Sequence, residues 1–222
     1  MKHEFWHERW EKNEIGFHLD KVHPSLARVV KERSLKGRVF VPLCGKTLDI
    51  GFLLEQGFDV VANELSVLAV DQLFETLQLT PDISPWLQDG EKIGSCYRAG
   101  ALTVWVGDYF KLTPDELGNI DWVYDRAAVI ALPDTMRADY VALMQSLVPE
   151  GEKWVITLEY DQAEMAGPPF SVTKSELEAL YGPRNRLSVF ERQDILEQEP
   201  RFKARGLTSF FQGVYCIKPQ QT

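Results

Sequence analysis

Four short stretches carry residue types that do chemistry, and each follows an apolar run. The first is Val39-Phe-Val-Pro-Leu-Cys-Gly-Lys-Thr-Leu-Asp49, which turns on Gly45 and continues into Lys46-Thr47. A Gly-Lys-Thr ending is how a phosphate-cradling loop finishes, but such a loop needs a second glycine at the position held here by Phe40. Pro42 removes one more backbone N–H donor. No downstream aspartate follows an apolar run in the way magnesium would require, so a triphosphate site is not expected. Nor is a dinucleotide fingerprint present, since Gly51 is the nearest other glycine and lies too far from Gly45. What remains is one glycine that lets the chain pass closely around something small at a helix start.

The second stretch, Val60-Val-Ala-Asn-Glu64, ends on a carboxylate. An acid about 20 residues beyond such a turn is placed to accept the hydroxyls of a ribose. The third, Gly107-Asp108-Tyr109-Phe110, offers an acid and aromatic rings, suited to the amino group and the faces of an adenine. The bland readings are a helix-capping Glu64 and a simple Gly-Asp turn. The fourth, Trp122-Val-Tyr-Asp-Arg126, brings out two opposite charges that also read as a local ion pair. One glycine turn, a ribose-type acid and an adenine-side acid together describe a nucleoside site whose tail is not phosphate. S-adenosylmethionine fits that description.

These stretches are positioned by an alternating pattern of elements. Strands are expected at Arg38–Leu43, Phe58–Ala62, Leu102–Val106, Ile120–Tyr124 and Lys153–Leu158, each short, apolar and rich in branched or aromatic residues. Helices are expected over Thr47–Gln56, from the N-cap Ser66, and over Thr135–Leu147. Thr173-Lys-Ser-Glu176 has the form of a capping box, and its helix should end near Gly182. Two further strands, Leu187–Glu191 and Ser209–Ile217, close the chain. The pattern implies an α/β fold: a doubly wound, mostly parallel, seven-stranded sheet with an antiparallel C-terminal edge strand. In such sheets ligands lie beyond the carboxyl ends of the strands, where all four stretches fall. A single domain over 1–222 is expected, with an N-terminal helical cap (1–36), a cofactor-binding core (37–160) and an acceptor-side segment (161–222).

Composition narrows the partners. The chain has 222 residues and a formal net charge of −9, which argues against nucleic acid as a partner. No apolar run approaches the roughly 20 residues that span a bilayer, and the charged, aromatic N-terminus has no signal-peptide core. Three separated cysteines, Cys44, Cys96 and Cys216, suit a reduced cytoplasmic protein better than a disulfide framework. The four histidines cluster between residues 3 and 23 without metal-ligand spacing, so no metal is expected. Cys44 has no histidine evidently placed to activate it and reads as a small residue in the turn.

Four segments, Phe5-Trp-His-Glu-Arg-Trp-Glu-Lys-Asn-Glu-Ile-Gly-Phe-His18, Val39–Ser66, Asp121–Pro133 and Gly167-Pro-Pro-Phe170, closely resemble the thiopurine S-methyltransferase family, its bacterial members most of all. The resemblance covers essentially the whole chain. It implies a Rossmann-like class I methyltransferase that uses S-adenosylmethionine and releases S-adenosylhomocysteine. It also implies that Trp10 lies over the cofactor, that Leu43 and Glu64 contact it, and that Arg126 completes the site. Phe17 would line the cofactor and acceptor, Gly45 would form the backbone shelf, and Asp108 and Tyr109 take the adenine-side positions. Trp6 and Trp10 stand one helical turn apart; Trp6 is expected in the core and Trp10 on the cofactor. The Gly167–Phe170 run is similar to the Asn/Asp-Pro-Pro-Tyr/Phe motif of amino-methyltransferases. It follows the fifth strand rather than the fourth and lacks the polar first residue, so it is read as a rigid loop near the acceptor.

The expected reaction is S-methylation of aromatic and heterocyclic thiols, thiopurines included, with Arg126 stabilising the thiolate. By the same resemblance, selenium and tellurium species join the acceptors. Arg184, Arg186 and Arg201 are candidates for the acceptor rim. A monomer with a small-molecule thiol or chalcogen partner is expected. The alternatives are a small-molecule methyltransferase with a non-thiopurine acceptor and a non-catalytic S-adenosylmethionine-binding module.

Overall fold

The computed structural model describes residues 3–220, which divide into two compact units, one up to Asp121 and one from Trp122 onward. The first unit opens with helices α1 (His3–Glu11) and α2 (Pro24–Arg33). Then come β1 (Arg38–Val41), α3 (Asp49–Glu55), β2 (Asp59–Glu64), α4 (Val67–Thr76), β3 (Asp82–Gln88), β4 (Glu91–Ala99), β5 (Leu102–Val106) and the short α5 (Pro114–Leu117). Its strands lie in the order β3-β4-β5-β2-β1. β1, β2 and β5 are parallel, and β3 and β4 are antiparallel additions at the edge. The parallel trio is short and buried on both faces, with Val39, Phe40, Val61 and Leu102 fully shielded.

The second unit contains β6 (Trp122–Arg126), α6 (Asp134–Leu147), β7 (Glu152–Glu159), α7 (Lys174–Tyr181), β8 (Asn185–Asp194), α8 (Pro200–Lys203) and β9 (Phe211–Pro219). Here the order is β6-β7-β9-β8, with β6 and β7 parallel and β9 antiparallel to both neighbours. The expected α/β class, with parallel strands joined by helices and an antiparallel strand near the C-terminus, is what the chain adopts. Two strands go beyond the expected seven. β3 and β4 form a hairpin whose outer member carries Pro85 and buries only Trp86. A proline and a lost alternation are tolerated on an edge, and they also hide the strand from pattern reading.

Local chemistry explains most of the element ends. Ser66 accepts the Ala69 N–H at 3.3 Å and starts α4. The buried face of α4 is Ala69, Val70, Leu73 and Phe74, while Val67 is exposed. Thr173 caps α7 through the Glu176 N–H, but the Glu176 carboxylate pairs with buried Arg137 instead of returning to the cap. Only half of the capping box therefore forms. α3 begins at Asp49 rather than Thr47, and the buried Asp49 carboxylate accepts the His23 N–H at 2.7 Å. That bond ties the start of α2 to the helix that follows the Gly45 turn. Among the described residues, no helix is long and apolar enough to cross a membrane.

Candidate functional site

In the first unit the carboxyl ends of β1, β2 and β5 lie side by side, and their loops carry the expected residues. The turn after β1 is held by its own unit. Cys44 N–H donates to Asn63 O at 2.9 Å, and Gly45 N–H donates to Glu64 Oε2 at 2.8 Å. Leu43 (φ +46°) and Gly45 (φ +55°) both adopt left-handed backbone, which bends the chain back against the end of β2. A carboxylate thus occupies the place where a phosphate loop would offer N–H groups to an anion. Lys46 reaches Gln72 Oε1 at 2.9 Å. The Gly-Lys-Thr resemblance has no phosphate site behind it.

Glu64 is the centre of the arrangement. It is 6% exposed, and its other oxygen accepts the Ser66 N–H at 2.9 Å. Burial pushes its carboxyl up, and the backbone N–H groups of Ser66, Gly45 and Leu65 pull the other way. One buried carboxylate therefore links the β1 turn to the start of α4. Three backbone N–H groups on about four lone-pair sites leave it capacity for a further donor, so it can still accept a hydroxyl hydrogen of a sugar. The neighbouring Asn63 amide donates to Trp105 O at 2.9 Å and Gly107 O at 3.1 Å, which fixes the end of β5 against β2.

The N-terminal helix roofs these strand ends. Trp10 is 5% exposed and its ring meets Gly45; a Cβ at that position would lie 3.1 Å from Trp10 Cζ2. Phe17 stands edge-on to Trp10 at 5.6 Å and to Trp6 at 6.0 Å. Trp6, expected in the core, is only half-buried, so Trp10 is the more enclosed of the pair. At the other end of α1, His3 Nε2 lies 3.6 Å from Asp108 Oδ2. A nine-residue helix is about 13 Å long, enough to cross from β1 to β5 over two strand spacings of about 4.8 Å each. Trp10, Phe17, Leu43, Gly45, Glu64, Asp108 and Tyr109 thus border the same strand ends. Asp108 caps the turn Tyr109–Lys111 through the Phe110 N–H at 3.0 Å; Tyr109 is buried and Phe110 exposed. Cys44 is also buried, and burial beside Glu64 pushes its thiol well up, which removes it as a nucleophile.

Gly45→Ala is expected to cost about 1–2 kcal/mol of stability, from left-handed backbone and the push on Trp10. Urea unfolding measures it, and an unchanged midpoint would mean that the Trp10 contact is slack.

In the second unit, Arg126 ends β6 next to Ala127, a non-glycine residue with φ +61°. Asp125, for which a local ion pair with Arg126 is the bland reading, is buried and engaged by Val129 N–H and Tyr140 OH. Arg184 and Arg186 are exposed and lie at the other end of the sheet from Arg126. Arg126 is in register with Ile156, Ile156 with Val214, and Val214 with Glu191, five residues or about 17 Å along β8 from Arg186. A shallow cavity of about 450 Å³ at that end of the sheet is lined by Tyr181, Pro183, Asn185, Leu187 and Ile217, away from the carboxyl ends, and neither arginine lines it. Arg201 is at the carboxyl end: it pairs with Glu199 at 3.2 Å and lies over the Phe202 ring. Phe202 belongs to a satellite core with Tyr160, Leu196, Leu207 and Phe210, beyond the end of β7. The Gly167–Phe170 loop joins this region, since Tyr160 OH donates to Pro169 O at 2.6 Å.

A family model described as thiopurine S-methyltransferase (TPMT) matches residues 1–220. A thiopurine S-methyltransferase of Pseudomonas fluorescens (strain Pf0-1) is 43% identical over 220 residues, 98% of this chain and 99% of that one. One from Xanthomonas campestris pv. campestris (strain 8004) is 42% identical over 221 residues, again 98% and 99% of the two chains. Among solved structures, a Burkholderia thailandensis 1,6-didemethyltoxoflavin-N1-methyltransferase with bound S-adenosylhomocysteine superimposes with a TM-score of 0.64 at 16% identity. That match covers 98% of this chain and 87% of the other, and shows a shared Rossmann-like methyltransferase fold. With matched length, matched fold and the Glu64-centred turn roofed by Trp10, the chain belongs to the thiopurine S-methyltransferase family.

Proposed function

We propose that the chain transfers a methyl group from S-adenosylmethionine to the sulfur of small aromatic and heterocyclic thiols, thiopurines among them. The observation that carries this reading is Glu64, a buried carboxylate tied to the Gly45 turn, which Trp10 covers. The cofactor supplies a methyl group already activated on a sulfonium. The protein's part is to bind, orient and exclude water, which is worth at best about 7–11 kcal/mol of the barrier. Glu64 accepts a ribose hydroxyl, Leu43 and Gly45 form the backbone shelf, and Asp108 with Tyr109 serves the adenine end. Trp10 and Phe17 close the site against water. Arg126 stabilises the anionic acceptor; an aromatic thiol ionises readily, so no strong general base is needed.

The same reading extends to selenium and tellurium acceptors, to a monomeric cytoplasmic enzyme and to one methyltransferase domain spanning the chain. Arg201 is the acceptor-side cation of this proposal; Arg184, just before β8, and Arg186, near its start, leave it because they lie away from the carboxyl ends of the parallel strands. Calorimetric titration with S-adenosylhomocysteine, followed by a methyl-transfer screen of a thiopurine, thiophenol, selenite and tellurite, tests it. Micromolar binding and transfer to the thiols are expected. A chain that does not bind S-adenosylhomocysteine overturns the reading.

A further inference from the structure

We propose that Asp125 is a positioning residue for the reaction: its carboxylate holds the turn after β6 in the shape that presents Arg126 and supports the Gly167–Phe170 loop. The proposal rests on the functional reading of Arg126 given above. Asp125 is 1% exposed at the carboxyl end of β6. Its Oδ1 accepts the Val129 N–H at 3.1 Å, and the Ala128 N–H also donates to the carboxylate. Its Oδ2 accepts the Tyr140 hydroxyl of α6 at 2.8 Å. Between these anchors the chain passes through Ala127 in left-handed backbone, a conformation that persists only where its surroundings impose it.

The far side of the same turn bears on the acceptor-side loop. Ile130 O accepts the Phe170 N–H at 2.7 Å, and Leu132 O accepts Arg137 Nε at 2.9 Å. The Arg137 guanidinium lies over the Phe170 ring at 5.6 Å and pairs with Glu176 of α7. Asp125 therefore fixes one edge of a turn whose other edge carries the Gly167–Phe170 loop. Nothing about this buried carboxylate requires a place next to Arg126 unless the turn itself has to be held.

The arrangement is sensitive to protonation. Burial pushes Asp125 up to about 6, against the opposing pull of Val129, Tyr140 and Ala128. The groups facing it are Tyr140 of α6, Tyr181 of α7, whose own ionisation is suppressed by burial and by Asp125, and Val155 of β7. The nearest basic groups on those elements are Arg137, one turn from Tyr140, and the buried Lys153, itself lowered to about 8 by burial. Above pH 6 the carboxylate accepts all three donors. Below it, the added proton makes one oxygen a donor that faces donors. Burial raises this carboxyl and the three donors lower it, so the proton favours a loosened turn that has shed donors while Asp125 stays buried, not one that exposes it to water.

Two measurements test this. One is the pH profile of kcat/KM with an aromatic thiol that stays ionised down to pH 5. The other is backbone amide exchange in residues 127–132, corrected for the intrinsic rate. In the wild type kcat/KM is expected to fall, and exchange in the turn to quicken, each at least tenfold between pH 7.5 and 5, with a midpoint near 6. Asp125→Asn should lower kcat/KM at pH 8 about tenfold and abolish the acid limb. Tyr140→Phe, which removes a donor to the ionised form, should shift the midpoint upward and serves if the first variant does not fold. Exchange that is flat across pH in the wild type, or Asp125→Asn turnover within twofold of wild type, overturns the proposal. A wild type that transfers methyl to no thiol overturns the functional reading instead, and exchange then still decides whether Asp125 holds the turn.

Discussion

Glu64→Gln is expected to weaken S-adenosylhomocysteine binding about a hundredfold, or about 2.7 kcal/mol, and to destabilise the fold as well. The reason is geometric. Gly45 N–H and Ser66 N–H are accepted by different oxygens of the carboxylate. A glutamine has one acceptor atom and one NH2 group at those positions, so either orientation sets a donor against a buried backbone donor. Leaving one such N–H unsatisfied costs about 1–3 kcal/mol. The shelf at Gly45 shifts with it, and the charge that strengthens hydrogen bonds to the ribose is lost. Calorimetry reads the affinity and urea unfolding the stability. Binding within threefold of wild type would remove Glu64 from the ribose.

Much of this site is legible in the amino-acid sequence, because strand ends announce themselves. An apolar run that stops on Gly45, Glu64, Asp108 or Arg126 marks both the strand and the chemistry at its carboxyl end, and parallel packing brings the first three together. The buried stripe of α6, Tyr140, Val141, Met144 and Leu147, is equally plain from its spacing. What stays hidden depends on tertiary geometry. β3 has a proline and one buried residue, and its pairing with β4 comes from an edge that pattern cannot foresee. Arg184 and Arg186 look like acceptor-side cations in a basic stretch, yet strand direction and register put them at the far end of β8.

Asp125 is the most instructive case. Beside Arg126 it reads as half of an ion pair, and the chain gives no local sign of its partners. Its acceptors are claimed by a tyrosine 15 residues away and by backbone four residues on. A charge at a strand end can serve the ligand or serve the turn that faces it, and only burial separates the two. Asp49 repeats the lesson: it looks like a helix-starting acid and also secures the His23 backbone.

Arg126→Ala is expected to lower kcat for methyl transfer to a thiol by about 10²–10³-fold. A preorganised cation aimed at the charge of the reacting anion contributes on this scale, as loss of one oxyanion donor does in other enzymes. The acceptor must reach the methyl group as a thiolate, so a nearby guanidinium also lowers the thiol's apparent pKa. Loss of Arg126 should therefore move the rising limb of the kcat profile, which reports the bound acceptor, to higher pH. Arg126→Lys keeps the charge without the planar fork and should recover part of the rate. Single-turnover kinetics across a series of thiophenols measures both effects, with calorimetry alongside for the cofactor. If Arg126→Ala weakened cofactor binding and left thiol affinity, rate and pH profile unchanged, the arginine would belong to the cofactor alone. Thiolate stabilisation would then have to come from the acceptor side of the chain, where Arg201 is the first residue to replace.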